Sequence, residues 1–204
     1  MDISKKQRQI IKELGRNLIR DGIIQTKGSS KEKIIHDIND YLNKNLQKFE
    51  DFEFLIDYRK SILKNAKRFQ REEDYYSSIV FYALWVEHWF NQMILIAIKR
   101  KKIRADYYME IIRSNNFKSK STWLWELLEY SPLNMTHLNA IIKLFEFRNS
   151  FIHYKWKTYT PKYINVLTDQ LKDLTSFANS INKTIVYLKS YESKHIFKNH
   201  KNII

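Results

Sequence analysis

Between Tyr75 and Lys99 the chain is apolar on nearly every face of the helix its spacing predicts. A helix of that kind either lies at the centre of a bundle or crosses a membrane. The stretch Ile79 to Ile98 is long enough to span, yet it carries Glu87, His88, Asn91 and Gln92 near its middle. An ionised residue there costs about 2.5 kcal/mol or more on insertion. A buried core helix is therefore expected. With 3 Gly and 2 Pro in 204 residues there is little material for hairpins or glycine-rich phosphate loops. Hydrophobic residues at 44% supply enough surface for a sizeable core. The expected fold is an all-α helical bundle.

Flanking segments fit that reading. Ile3, Ile10, Ile11, Leu14 and Leu18 keep a helical period up to Asp21-Gly22, where glycine can close the helix in a left-handed conformation. Ser29-Ser30-Lys31-Glu32 matches a capping box with Ser29 as the cap, and Ile34 to Phe49 then repeat at three-and-four spacing. Thr26 to Ser30 is the linker. Leu55 to Phe69 predicts a third helix, and Arg71-Glu72-Glu73-Asp74 marks a break or the acidic first turn of the next. Asp106 to Asn115 reads as a short helix, and Ser121 as the cap of another running to Leu128. A further helix starts near Asn134 or Thr136. Thr160-Pro161 opens the last one, in which Ile164, Leu167, Leu171, Leu174, Ala178, Ile181, Ile185 and Leu188 keep a heptad seam. The expected organisation is a helical extension over residues 1–50, a bundle over 52–190, and a basic, frayed tail over 191–204.

Within the helix that follows Asn134, Phe145 to Tyr154 interrupts an apolar stripe with a cation, an amide and an imidazole. At about 100° per residue, Leu138, Ile141, Ile142, Phe145 and Ile152 share a face with Asn149 near its middle. Arg148 and His153 fall on its margins, roughly 140° apart. Guanidinium and imidazole do not enter a core without partners, so this face is expected to open onto a cleft. Glu87 is placed beside Arg148, either to fix a functional guanidinium or as a structural ion pair.

Arg148-Asn149, three residues, then His153, near the end of a long helix in an all-helical chain, resembles the signature of the HEPN superfamily of ribonuclease domains. Asn149 fills the polar position that often follows the Arg. The Tyr that many members carry two residues past the His is here adjacent, Tyr154, with Lys155 in its usual place. The resemblance extends over about residues 52 to 190. It implies a metal-independent endoribonuclease, toxin-like or serving phage defence, that joins two such faces in a homodimer or like heteromer and is held in check or activated by a partner. It also implies roles: His153 as general base on a ribose 2′-hydroxyl, Arg148 as the stabiliser of phosphate charge, Asn149 as orienter. A catalytically silent module of the same superfamily, binding RNA or a partner protein, is the alternative, and a purely structural subunit is a third.

Charge is compatible with RNA. The formal net charge of +14 is the footprint of an anionic partner, although heavy Lys usage accounts for part of it. Tyr154-Lys155-Trp156-Lys157-Thr158-Tyr159 alternates aromatics with cations, a pattern that stacks unpaired bases and neutralises phosphates, or else covers the bundle end. Lys99-Arg100-Lys101-Lys102 closes a helix, where cations suit the dipole; Lys101 and Lys102 are also candidate phosphate contacts. Cysteine is absent, which excludes disulfides, thiolate zinc sites and thiol nucleophiles. The six His residues show no metal-ligand spacing, so neither metal nor other cofactor is expected. No apolar core precedes Gly15, so neither a signal nor a transit peptide is expected, and the cytoplasm is the expected compartment.

Overall fold

Scarcity of glycine shows in how the helices end. Among the described residues, four of them close in the same six-residue geometry, in which the amide two residues past the cap bonds back to the carbonyl five residues earlier. At the end of α1 (Lys5–Arg20) the bonds are Gly22 N–H to Ile19 O at 3.1 Å and Ile23 N–H to Leu18 O at 3.0 Å, with Gly22 at φ 78°. The same pair of bonds closes α3 (Arg59–Arg71), α4 (Tyr75–Arg100) and α7 (Trp123–Leu127), but there the left-handed residue is Glu73, Lys102 or Glu129, at φ 59°, 56° and 60°. Side chains with a Cβ occupy that region at a cost of about 1 kcal/mol or more.

The computed structural model describes residues 5–26, 28–45, 57–104, 106–152 and 164–197. Among them every regular element is an α-helix, so the fold is all-α. The remaining helices are α2 (Lys31–Asn45), α5 (Tyr107–Ser114), α6 (Phe117–Ser121), α8 (Met135–Ile152) and α9 (Ile164–His195). The chain divides into two compact units, one of residues 1–56, 93–114 and 189–204, the other of 57–92 and 115–188.

In the first unit, Leu14, Leu18, Ile19, Ile34, Ile38 and Leu42 are buried, following the amphipathic spacing of α1 and α2. The α2 cap is Ser30, not Ser29: its Oγ accepts from the Lys33 amide at 3.2 Å. Glu32 is then one position too early to reach back across a capping box. Its carboxyl is held below the usual range by its own backbone amide and by the Ser30 side chain. The tail is also not frayed as far as it is described. Helix α9 continues to His195, with Tyr191, Glu192, Ile196 and Phe197 all buried.

The second unit is built on α4. Tyr82, Trp85, Val86, Trp89 and Phe90 are each at most 2% exposed, the burial expected of a core helix, and α4 is also long and apolar enough to cross a membrane. Asp74 starts α4 by accepting from the Ser77 amide at 3.1 Å, so the acidic run supplies both the end of one helix and the cap of the next. Trp125 of α7 stacks on Trp89 at 5.7 Å, and its indole N–H donates to Ser131 O at 2.9 Å. The α9 seam turns inward over its described side chains, with Leu174, Ala178, Ile181, Ile185 and Leu188 buried. Gln70 of α3 donates to Ala178 O and Asn179 Oδ1, both at 3.0 Å, and the Tyr82 hydroxyl lies 2.7 Å from Gln70 Oε1.

The helix expected from Ser121 to Leu128 is α7, whose N-cap position is Thr122, and a further short helix, α6, precedes it. Asn116 caps α6, its Oδ1 accepting from the Ser119 amide at 2.9 Å, and Ser121 ends that helix instead of starting another.

Candidate functional site

Helix α8 begins where the sequence places it. Asn134 Oδ1 accepts from the Thr136 amide at 2.9 Å, and Asn134 O takes the first helical bond from Leu138. Its rotation differs from expectation. Ile141, Leu144 and Phe145 are the buried residues, whereas Ile142, Asn149 and Ile152 are exposed. On a helical count the buried arc is centred close to the direction of Arg148, and Asn149 lies roughly 90° off that centre. Arg148 is therefore the polar residue at the middle of the packed face and Asn149 sits at its margin, the reverse of the sequence reading.

Arg148 tolerates that position because two groups receive it. Its Nη2 donates to Glu87 Oε2 at 3.1 Å, and its guanidinium carbon lies 5.2 Å from the centroid of the Phe145 ring. The side chains of Arg148 and Glu87 remain 24% and 40% exposed, so the pair stands at the rim of the core with water on one side. Phe145 is itself fixed by stacking on Phe117 of α6 at 4.3 Å, and Phe117 meets the edge of Phe90 at 5.1 Å. Aromatic packing thus sets the height at which the guanidinium meets Glu87.

A second cation belongs to the cluster. Lys120 of α6 is 5% exposed and its Nζ donates to Asn91 Oδ1 at 3.0 Å, one helical turn beyond Glu87. Burial pushes its ammonium below the usual lysine range, and the field of Glu87 pulls it back up. Arg148 and Lys120 thus share the influence of one carboxylate, leaving the cluster with an excess of one positive charge. Sequence reasoning missed Lys120, and the only signal for it was the Asn116 cap that announces α6.

Of the other expected site residues, His153, Tyr154, Lys155, Trp156 and Lys157 lie outside the described residues. Lys101 and Lys102 are exposed and belong to the other unit. Comparison with protein-family models, with curated proteins and with solved structures gives no match to this chain.

Proposed function

We propose that the chain is a metal-independent endoribonuclease, acting on single-stranded or loop RNA as a toxin-like or phage-defence effector in the cytoplasm. The observation that carries this reading is the clamped yet part-exposed Arg148: held by Glu87 at 3.1 Å and by the Phe145 ring, it is oriented before any ligand arrives. An arginine stays charged at every physiological pH, and its planar fork fits two phosphate oxygens. His153 follows α8 in the sequence, and an imidazole with an unperturbed pKa of about 6.5 is an effective base near neutrality.

In this mechanism His153 takes the proton from a ribose 2′-hydroxyl, the oxygen attacks the adjacent phosphorus, the bond to the 5′-oxygen breaks, and that oxygen takes a proton from water while His153 returns its own to solvent. Products are a 2′,3′-cyclic phosphate and a 5′-hydroxyl. Arg148 stabilises the charge that builds on the phosphate, and Asn149, exposed on the same last turns, orients it. Phe151 and Ile152, 41% and 52% exposed at the end of α8, supply apolar surface for a second copy or a like partner.

The alternative is a catalytically silent module that binds RNA or a partner protein, and the same ion pair favours it, because Glu87 already satisfies the guanidinium. Purified protein with single-stranded RNA in chelator decides between them. Cleavage that is lost in His153→Ala, in Arg148→Ala and on a 2′-deoxy substrate supports the enzyme. A Mg²⁺ requirement, or His153→Ala cutting as fast as the parent, overturns it.

A further inference from the structure

The basic run that ends α4 divides its work among its residues. Arg100 donates through Nε to Arg20 O at 2.9 Å and through Nη2 to Ile19 O at 3.1 Å, so it closes the C-terminal carbonyls of α1. Lys99 pairs with Asp21 at 3.2 Å. Lys102 is exposed and has no ion pair or hydrogen bond from its side chain among the described residues, although its backbone is held at φ 56°. All three cations line one cavity of about 450 Å³ in the first unit.

The cavity has two kinds of wall. Ile19, Ile24 and Ile196, each at most 8% exposed, make an apolar side. The turn from Gly22 to Thr26 supplies main-chain polar groups and a buried threonine. Its volume lies in the range of about 300 to 1,000 Å³ usual for small-molecule sites. Charge fixes the sign of the ligand. Three cations stand against Asp21 and against about half a negative charge from each of the C-termini of α1, α4 and α9, where Ile196 O also accepts from Arg100 at 3.2 Å, which leaves the lining positive by about half a charge.

We infer that this cavity binds a small phosphate-bearing molecule of about mononucleotide size, its apolar body against Ile19, Ile24 and Ile196 and its phosphate toward Lys102. The site is independent of the ribonuclease reading, which rests on α8 in the other unit. It also gives Lys102 a role other than an RNA-backbone contact. A phosphate suits the lining better than a carboxylate, since its greater charge gains more from the Lys102 ammonium.

Titration calorimetry on the whole chain with adenosine and cytidine monophosphates, adenosine, inorganic phosphate and octanoate tests the inference. A nucleoside monophosphate should bind about tenfold or more tighter than adenosine, inorganic phosphate or octanoate. Lys102→Gly removes the ammonium while relieving the left-handed backbone, so it keeps the fold, and it should weaken the monophosphate by about tenfold. Arg148→Ala should leave that affinity unchanged. The inference fails if neither monophosphate binds at about 5 mM, if octanoate binds best, or if Lys102→Gly binds like the parent. It fails equally if Arg148→Ala abolishes binding, which would place the ligand at α8.

Discussion

Glu87 and Arg148, 61 residues apart in sequence, meet at 3.1 Å on the rim of an aromatic core. The contact is part-exposed, so its direct worth to stability is small, about 0.5 to 1 kcal/mol. Its proposed worth to function is orientation. Glu87→Ala should therefore lower stability by no more than about 1 kcal/mol while reducing ribonuclease turnover by about tenfold or more, with Glu87→Gln intermediate. Denaturant unfolding and single-turnover cleavage on the same preparations check this. Equal turnover in Glu87→Ala would assign the pair to structure alone.

Gln92 is 6% exposed, and neither its Nε2 nor its Oε1 has a hydrogen-bond partner among the described residues. Each unpaired buried polar group costs about 1 to 3 kcal/mol. Gln92→Leu, close in volume and free of polar atoms, is expected to raise unfolding free energy by about 1 to 2 kcal/mol. A lower denaturant midpoint at unchanged slope would contradict the unpaired state of this amide.

Three of the four helix ends described above place a residue with a Cβ in the left-handed region. Relief of that strain, about 1 to 2 kcal/mol, exceeds the 0.5 to 1 kcal/mol of extra chain entropy that glycine loses. Glu73→Gly and Glu129→Gly should each stabilise by about 0.5 to 1 kcal/mol. Gly22→Ala should do the opposite and by more, because its Cβ would lie 3.1 Å from Arg100 Cγ as well as at φ 78°. Thermal melts of the three variants test the sign.

His137 stacks on Tyr187 at 4.1 Å and its Nδ1 lies 3.1 Å from Thr184 Oγ1. Burial lowers its pKa from the ordinary histidine value. The unfolded chain therefore binds the proton first as pH falls. Its contribution to stability is complete above about pH 6.5 and is lost as pH falls below that toward the folded pKa. Melting temperature followed from pH 8 to pH 5 should drop less for His137→Phe, which keeps the stack, than for the parent. Parallel curves would remove His137 from the acid response.

Periodicity and caps made much of the helical layout legible in the chain itself. The end of α1 at Asp21-Gly22, the start of α8 at Asn134 and the inward seam of α9 follow from local chemistry, because a cap or a glycine acts within a few residues of where it stands. Glu87 as a neighbour of Arg148 was also readable, since Glu87 was a charge in the middle of the apolar α4, Arg148 interrupted the apolar stripe of α8, and a buried charge requires a counterpart.

What the sequence could not decide was the rotation of α8. Its apolar residues, Leu138, Ile141, Ile142, Leu144, Phe145, Phe147, Phe151 and Ile152, spread over more than half of the helix circumference. Such a helix can pack on more than one arc, and the choice falls to its neighbours. Phe117, on the helix that only Asn116 announced, stacks on Phe145 and so belongs to the arc that places Arg148 inward and Asn149 outward. Lys120 comes into the cluster by the same element. Burial of Ile196 and Phe197 in a stretch that looked patternless, and the grouping of α1 and α2 with the ends of α4 and α9, have the same origin. Amino-acid spacing determines which residues seek burial; the surface each one finds exists only once distant parts of the chain have come together.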